Sequence, residues 1–261
     1  MNILSKFENN IPLHQNTLGT LITSDGCATT GDRELSREHH ITIYINETPV
    51  YNVVCSPCDL TFLVIGRLIS EGIIRNAEDI EKLYLCEYGT RAKVYLSPDV
   101  KLEYQDTAAQ EVASCCTDNK TLCSIQSGSY SALTPITWDK KDIFLLSSAM
   151  NGELPLYNAT HAVHSAFLAL EGHILYSAED LGRHNALDKV IGHAAADNID
   201  LTRCVIFTSG RVPVDMVSKV IRARIPVFIG KGAPTADAVS LARQYNLTLV
   251  CHAHKDSAIL Y

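Results

Sequence analysis

No run of apolar residues in this chain is long enough to span a bilayer, which argues against an integral membrane helix. The opening stretch "MNILSKFENNIPLH" lacks the apolar core of a signal peptide, so the expected location is the cytoplasm. There is no excess of basic charge. A net charge of -7 argues against a general nucleic-acid binder or a protein held on a membrane surface. No internal repeat or low-complexity segment stands out. An export-dependent disulfide framework is also missing: the nine cysteines are an odd number in a long chain, and reduced thiols are expected. The zinc deaminase signature, H-x-E followed by P-C-x-x-C, is absent. His161 and His164 are read as one helical turn apart with no acid in the required place, and Val212-Pro213-Val214-Asp215 stands where the cysteine pair would be. Cys55-Ser56-Pro57-Cys58 is a C-x-x-C without a second ligand pair at zinc spacing, so it is read as packing and no metal is expected.

What is present is ordinary in composition, with 46% hydrophobic and 20% charged residues over 261 positions. That is enough for one large or two modest domains. Residues 1–140 read as an α+β domain. "HHITIYIN" and "VYNVVC" are strands joined by the turn "NETP", and "KLYLCEY" and "AKVYLSP" form a second hairpin across Gly89–Thr90. Between them "SPCDLTFLVIGRLISEG" reads as a helix capped by Ser56, with Pro57 at its first position, Asp59 completing a capping box and Gly72 as its stop. Residues 101–139 are polar and weakly periodic, a long exposed connection.

Residues 141–261 change rhythm. "THAVHSAFLALEG" and "NALDKVIGHAAAD" read as helices. Then come strand "CVIFT", helix "PVDMVSKVIRAR", strand "PVFIG", helix "ADAVSLARQY" and strand "LTLVC". Alternating β and α segments with continuous apolar strands predict an α/β domain whose parallel sheet is covered on both faces.

In such a sheet ligands bind outside the carboxyl ends of the strands. Those ends carry Thr208-Ser209-Gly210-Arg211, then Gly230-Lys231-Gly232-Ala233-Pro234-Thr235, then Cys251-His252-Ala253-His254-Lys255-Asp256. The first two supply glycines, a hydroxyl and a cation beside a helix N-terminus, which suits an anion such as a phosphate. Taken singly, each loop could be a tight turn with a solvated charge; three on one edge favour a site. "EDLGRHNALDK" adds Arg183 and His184 just ahead of a helix that Asn185 can cap. Separately, "NKTLCSIQSGSY" displays Cys123 in a polar, turn-prone stretch beside Lys120, where an accessible thiol of lowered pKa could act as a nucleophile.

"EDLGRHNALDKVIG", "TSGR", "MVSKVIRARIPVFIGKGAPT" and "LTLV", with "DLTFLVIGRLISEGII" before them, resemble the formate dehydrogenase accessory sulfurtransferase family. The resemblance implies a small N-terminal domain and a cytidine-deaminase-like, three-layer α/β domain without zinc. It implies a homodimer that takes sulfur from a cysteine desulfurase and passes it, as a persulfide, to the bis-(molybdopterin guanine dinucleotide) molybdenum cofactor of formate dehydrogenase. The cofactor-binding residues it implies are His164, Arg183, His184, Asn185, Ser209, Gly210, Arg211, Lys231, Gly232 and the segment from Cys251 through His252, Ala253, His254 and Lys255 to Asp256. The sulfur carrier is Cys123. The family's C-G-x-C-G loop departs here: Cys123 matches the first cysteine, the glycine after that first cysteine is gone, and Gln126 stands at the second. A single-thiol relay is expected, with Cys115 or Cys116 as possible substitutes for the partner. Two other readings stay open: a non-catalytic cofactor chaperone and a guanine-nucleotide-binding regulatory protein.

Overall fold

The computed structural model describes residues 1–7, 10–100, 130–150, 152 and 154–261. Cys115, Cys116 and Cys123 therefore lie outside the described residues. The first half begins with β1 (Asn2–Ser5), β2 (His14–Ile22), β3 (Ala28–Ser36), β4 (His39–Ile45) and β5 (Thr48–Cys55). It continues with α1 (Leu60–Ser70), β6 (Ile80–Leu85) and β7 (Arg91–Leu96). Both expected hairpins are present, β4 with β5 and β6 with β7. The "NETP" turn works because Asn46 and Glu47 both adopt positive φ, 45° and 70°, the twist that a tight hairpin needs. These strands and β1 form a five-stranded sheet in the order β1-β6-β7-β4-β5. β2 and β3 pair only with each other, as a ribbon of nine residues per strand that is exposed along most of its length. Leu18, Leu21, Ile22 and Leu35 stand in solvent on it.

The second half runs through α2 (Lys141–Ala149), α3 (Pro155–Thr160), β8 (His164–Leu170), β9 (His173–Asp180) and α4 (Arg183–Ala196). Then follow β10 (Val205–Thr208), α5 (Val214–Arg222), β11 (Val227–Gly230), α6 (Ala236–Gln244), β12 (Thr248–Cys251) and β13 (Ile259–Leu260). The sheet order is β13-β12-β11-β10-β8-β9. β10, β11 and β12 are parallel, as their apolar runs predicted. The sheet as a whole is mixed, because β8, β9 and β13 run antiparallel to their neighbours. Side chains alternate across it. Leu168, Ile206, Phe228 and Leu249 join a core with α1, α4, α5 and α6, while Phe167, Val205, Phe207, Ile229 and Val250 join a second core with α2. Helices thus cover both faces of the sheet.

Two sequence expectations are corrected here. "THAVHSAFLALEG" is not a helix: His164–Leu170 is β8, which pairs with β9 around Glu171 and Gly172, both at positive φ. Ser165 through Ala169 are buried on both sheet faces, so the strand shows no period-2 signature and reads like a helix core. His161 and His164 are accordingly not on one helical face; His161 is the left-handed cap of α3 and is exposed. The helix after the C-x-x-C begins at Leu60, not at Pro57, and its N-cap Asp59 makes no side-chain cap. Ser56 is committed elsewhere: its hydroxyl accepts from Leu181 N (3.2 Å) and its N–H donates to Asp180 Oδ2 (3.0 Å). Gly72, at φ 74°, does stop the helix.

The two halves meet at α1 and α4. α1 is apolar almost all round and buried, as such a helix must be. It crosses α4 at Gly66 and Gly192, where a Cβ on Gly66 would stand 1.7 Å from Asp188 O and one on Gly192 1.9 Å from Phe62 O. Only bare backbones fit at that distance. Beside the crossing lies a buried ionic cluster. Lys219 Nζ donates to both Asp188 oxygens at 3.0 Å and to Ser70 Oγ at 2.8 Å, and it pairs with Glu71 at 3.1 Å. Arg67 and Arg222 also reach Glu71, at 3.3 and 3.5 Å. Among the described residues, no helix is long and apolar enough to cross a membrane.

Candidate functional site

The site forms where the carboxyl ends of β10, β11 and β12 meet the start of β8 and the end of β9. The three loops after the parallel strands are laced together by backbone hydrogen bonds. Lys231 N donates to Thr208 O (2.9 Å), Gly232 N to Gly210 O (3.2 Å), His252 N to Gly232 O (3.3 Å) and Ala253 N to Gly230 O (3.1 Å). The pairing thus continues past the strands and fixes the loops relative to one another. Ser209 extends the β8 ladder, with its N–H donating to Ser165 O (2.9 Å). Its hydroxyl accepts from Ser165 N (2.9 Å) and lies 3.3 Å from His164 Nδ1.

The "EDLGRHNALDK" block divides into two sets of side chains. Asp180, fully buried, accepts from Gly182 N (2.9 Å), Asn185 Nδ2 (2.8 Å) and Ser56 N (3.0 Å) and pairs with Lys189 at 2.7 Å. Asn185 Nδ2 also donates to Val54 O (2.8 Å). Asn185, Asp188 and Lys189 therefore turn inward and tie α4 to the N-terminal half. Asn185 does not cap the helix; α4 starts at Arg183, its N-cap is Gly182, and Arg183 and His184 lie in its first turn rather than ahead of it. Those two face the crevice. The Arg183 side chain lies directly on Gly210, where a Cβ would stand 2.9 Å from Arg183 Cδ. His184 Nε2 is 2.9 Å from Asp215 Oδ2 on the first turn of α5, joining the two helix N-termini. In the sequence Asp215 stands out only as the end of Val212-Pro213-Val214-Asp215, the stretch in the place of a zinc site's cysteine pair. Its acidic first-turn position was the signal available; its partner comes from another helix.

The electrostatics follow from this packing. His164 is held below the ordinary histidine pKa, first by burial and then by the positive charges of Arg183, His184 and Arg211 around it, with Asp180 opposing. The Asp215 carboxyl falls below the usual carboxylate range: burial pushes it up, but the hydrogen bond and charge of His184 win, with Arg183 helping. In a chain of net charge -7, this edge gathers cations beside two helix N-termini, a setting that attracts anions. Arg211 is exposed, and Lys231, Gly232 and His252 are half-buried at the rim. His164, Arg183, His184, Ser209, Gly210 and Arg211 are thus brought together, with the Gly230–Gly232 loop against them. Cys251 and Ala253 are fully buried core residues, and His254, Lys255 and Asp256 stand exposed further along the loop.

Of the described thiols only Cys27, at the turn between β2 and β3, is exposed. Burial pushes Cys204 and Cys251 up to about 12. Cys58 is half-buried with its sulfur 3.3 Å from Lys189 Nζ; burial nevertheless raises its pKa against that ammonium. Among the described residues, no three His, Cys, Asp or Glu side chains are grouped so as to hold a metal ion.

A crevice of α/β loops and helix N-termini, with cations gathered at its edge, defines the class as an α/β protein; known proteins specify it further. The profile of the FdhD/NarQ family matches residues 36–261, and the chain belongs to that family. It is 31% identical over 219 residues to a protein of Halalkalibacterium halodurans named sulfur carrier protein FdhD, covering 82% of this chain and 81% of that one. A protein of the same name from Listeria monocytogenes is 30% identical over 240 residues, covering 88% and 90%. The fold matches a solved structure named for a formate dehydrogenase accessory protein from Desulfotalea psychrophila, with a TM-score of 0.77 at 24% identity over 96% of this chain and 97% of that one.

Proposed function

We propose that this protein is a cytoplasmic sulfur carrier for formate dehydrogenase. It takes persulfide sulfur from a cysteine desulfurase and passes it to the bis-(molybdopterin guanine dinucleotide) molybdenum cofactor. The observation that carries the reading is the gathering of Arg183, His184, His164 and Arg211 at the N-termini of α4 and α5. That arrangement suits the phosphates of a guanine dinucleotide, with the glycines of the neighbouring loops letting the ligand approach the backbone. In this reading residues 141–261 are a deaminase-like domain working without zinc, and His184 Nε2 is spent on Asp215. The N-terminal domain is residues 1–140. The protein acts as a homodimer, for which the exposed Leu18, Leu21 and Ile22 of the β2–β3 ribbon offer apolar surface.

The carrier is Cys123. Its thiolate attacks the outer sulfur of the desulfurase persulfide. A new S–S bond forms on Cys123, the old one breaks, and the desulfurase cysteine leaves as its thiolate. Arg183, Arg211 and Lys231 hold the phosphates of the acceptor, which fixes where that sulfur must be delivered. Gln126, in the position of a second cysteine, favours one competing reading, a cofactor-binding chaperone without a relay. Incubation with a desulfurase and cysteine, followed by mass measurement of the Cys123 peptide, separates the two. Addition of one sulfur to the parent, lost in Cys123→Ala with guanine nucleotide binding intact, is the expected result. Loading that survives Cys123→Ala but disappears when Cys115 and Cys116 are both replaced moves the relay along the loop. No sulfur on any variant, parent included, leaves the chaperone.

A further inference from the structure

At the opposite edge of the six-stranded sheet lies a second polar depression. It opens between the start of α2, the β8–β9 turn and the beginning of β10, as a cleft of about 550 Å³. Ile136, Trp138, Asp139, Asp142, Glu171 and Arg203 line it. β10 separates it from the crevice: Val205 borders the cleft and Thr208 the crevice, three residue steps or roughly 10 Å apart. Nothing in the sulfur-carrier reading uses it.

Its charges are not balanced. Arg203 is paired with Glu171. Asp139 accepts from Lys141 N at 2.9 Å and so helps start α2. Asp142 is different: the residue is only 6% exposed, its carboxylate oxygens open onto the cleft and are not sealed from solvent, and among the described residues they have no hydrogen-bond or ion-pair partner. A recessed carboxylate is normally paired, because even partial desolvation without a partner costs free energy. Burial, and then the charge of Asp139 beside it, hold the Asp142 carboxyl above the usual carboxylate range. Its first-turn position in α2 lets the helix dipole offset part of that cost, so the empty cleft remains folded. What Asp142 lacks is a cation, because the Arg203 guanidinium is taken up by Glu171. With no third ligand to make a metal site among the described residues, and with an indole and Ile136 on the walls, the fitting group is one with an apolar shoulder.

We propose that this cleft binds an organic cation, an alkylammonium or guanidinium group, with the Asp142 carboxylate as counter-ion and Trp138 against the ligand's apolar or π surface. The ligand is either a free amine or the side chain of a lysine or arginine on a protein partner; both present the same head-group.

Trp138 is the chain's one tryptophan, so its fluorescence reports on this cleft directly. The intact protein is titrated at constant ionic strength with argininamide, with butylammonium, and with magnesium chloride as control. A saturable emission change with the organic cations, weakened about tenfold or more in Asp142→Asn, is the expected result. No saturable change, or equal affinity in Asp142→Asn, overturns the proposal, as does a response to magnesium without one to argininamide. Asp142→Asn removes a group without partners, so it should fold. Thermal unfolding provides the second readout: argininamide raises the parent's midpoint and leaves the variant's unchanged, and an equal rise in both overturns the assignment. A single-arginine peptide that binds much more tightly than argininamide places the cation on a protein partner, whereas equal affinities place it on a small molecule.

Discussion

Replacing Gly66 by Ala tests how the two halves of the chain are joined. In an unpacked helix this change stabilises, because Gly in a helix interior costs about 1 kcal/mol relative to Ala. Here the new methyl would stand 1.7 Å from Asp188 O, 2.6 Å from Asp188 C and 2.8 Å from Gly192 N. All three are backbone atoms of α4, so no side chain can swing away. Ordinary contact needs roughly 3.5 Å, so α1 and α4 would have to separate by well over 1 Å. The same movement would pull Arg67 and Glu71 of one element from Asp188 and Lys219 of the others, loosening the ionic cluster beside the crossing. Overpacking a core typically costs about 1–3 kcal/mol. With rigid backbone on the receiving side and a charge cluster attached, we expect about 3–5 kcal/mol, the range of severe core substitutions. Urea unfolding followed by far-UV circular dichroism measures it, provided the m-value matches that of the parent. Gly192→Ala should behave alike, because its methyl would meet Phe62 O at 1.9 Å. The double variant should cost clearly less than the sum, since the first methyl has already parted the helices. A Gly66→Ala protein as stable as the parent, or more stable, refutes the close-crossing argument.

Glu71→Gln should destabilise by about 3–5 kcal/mol, because Arg67, Lys219 and Arg222 keep their charges and lose a shared carboxylate. Burial alone would raise the Glu71 pKa, but Lys219, Arg67 and Arg222 bring it down to about 2. A depressed folded-state value gives stability that is fully present above the unfolded carboxylate pKa and is lost as pH falls from about 4.5 towards 2. The gap between parent and variant in urea midpoint should therefore narrow over that window, and a constant gap contradicts the assignment. In the native protein, iodoacetamide should modify Cys27 far faster than Cys204 or Cys251, which are buried and pushed up to about 12; comparable rates by peptide mapping would mean that those strands open readily. Arg211→Ala and Lys231→Ala should each weaken guanine nucleotide binding roughly tenfold by loss of a charge-assisted hydrogen bond, and unchanged calorimetric affinity in both rules out the phosphate arrangement.

Elements whose signals are local could be read from the residues alone. Asn46-Glu47 and Gly72 adopt the left-handed conformations that their turn and helix stop require. The apolar runs of β10, β11 and β12 and the periodic helices between them placed three loops on one edge without any coordinates. The "GRHNALDK" block carried enough identity to point to the family. Tertiary structure decided what local signals leave degenerate. β8 is buried on both faces, which erases the period that separates strand from helix. The β2–β3 ribbon is exposed on both faces and so has no apolar alternation to read. Within "RHNALDK" the residue types alone do not say which side chains serve the crevice. Arg183 and His184 do so because α4 turns them there, while Asn185, Asp188 and Lys189 point the other way into Asp180, Lys219 and the N-terminal half. The His184–Asp215 pair and an Asp142 without a partner among the described residues exist only once separate helices and strands are packed, because pairing, burial and desolvation are properties of neighbours far apart in the chain.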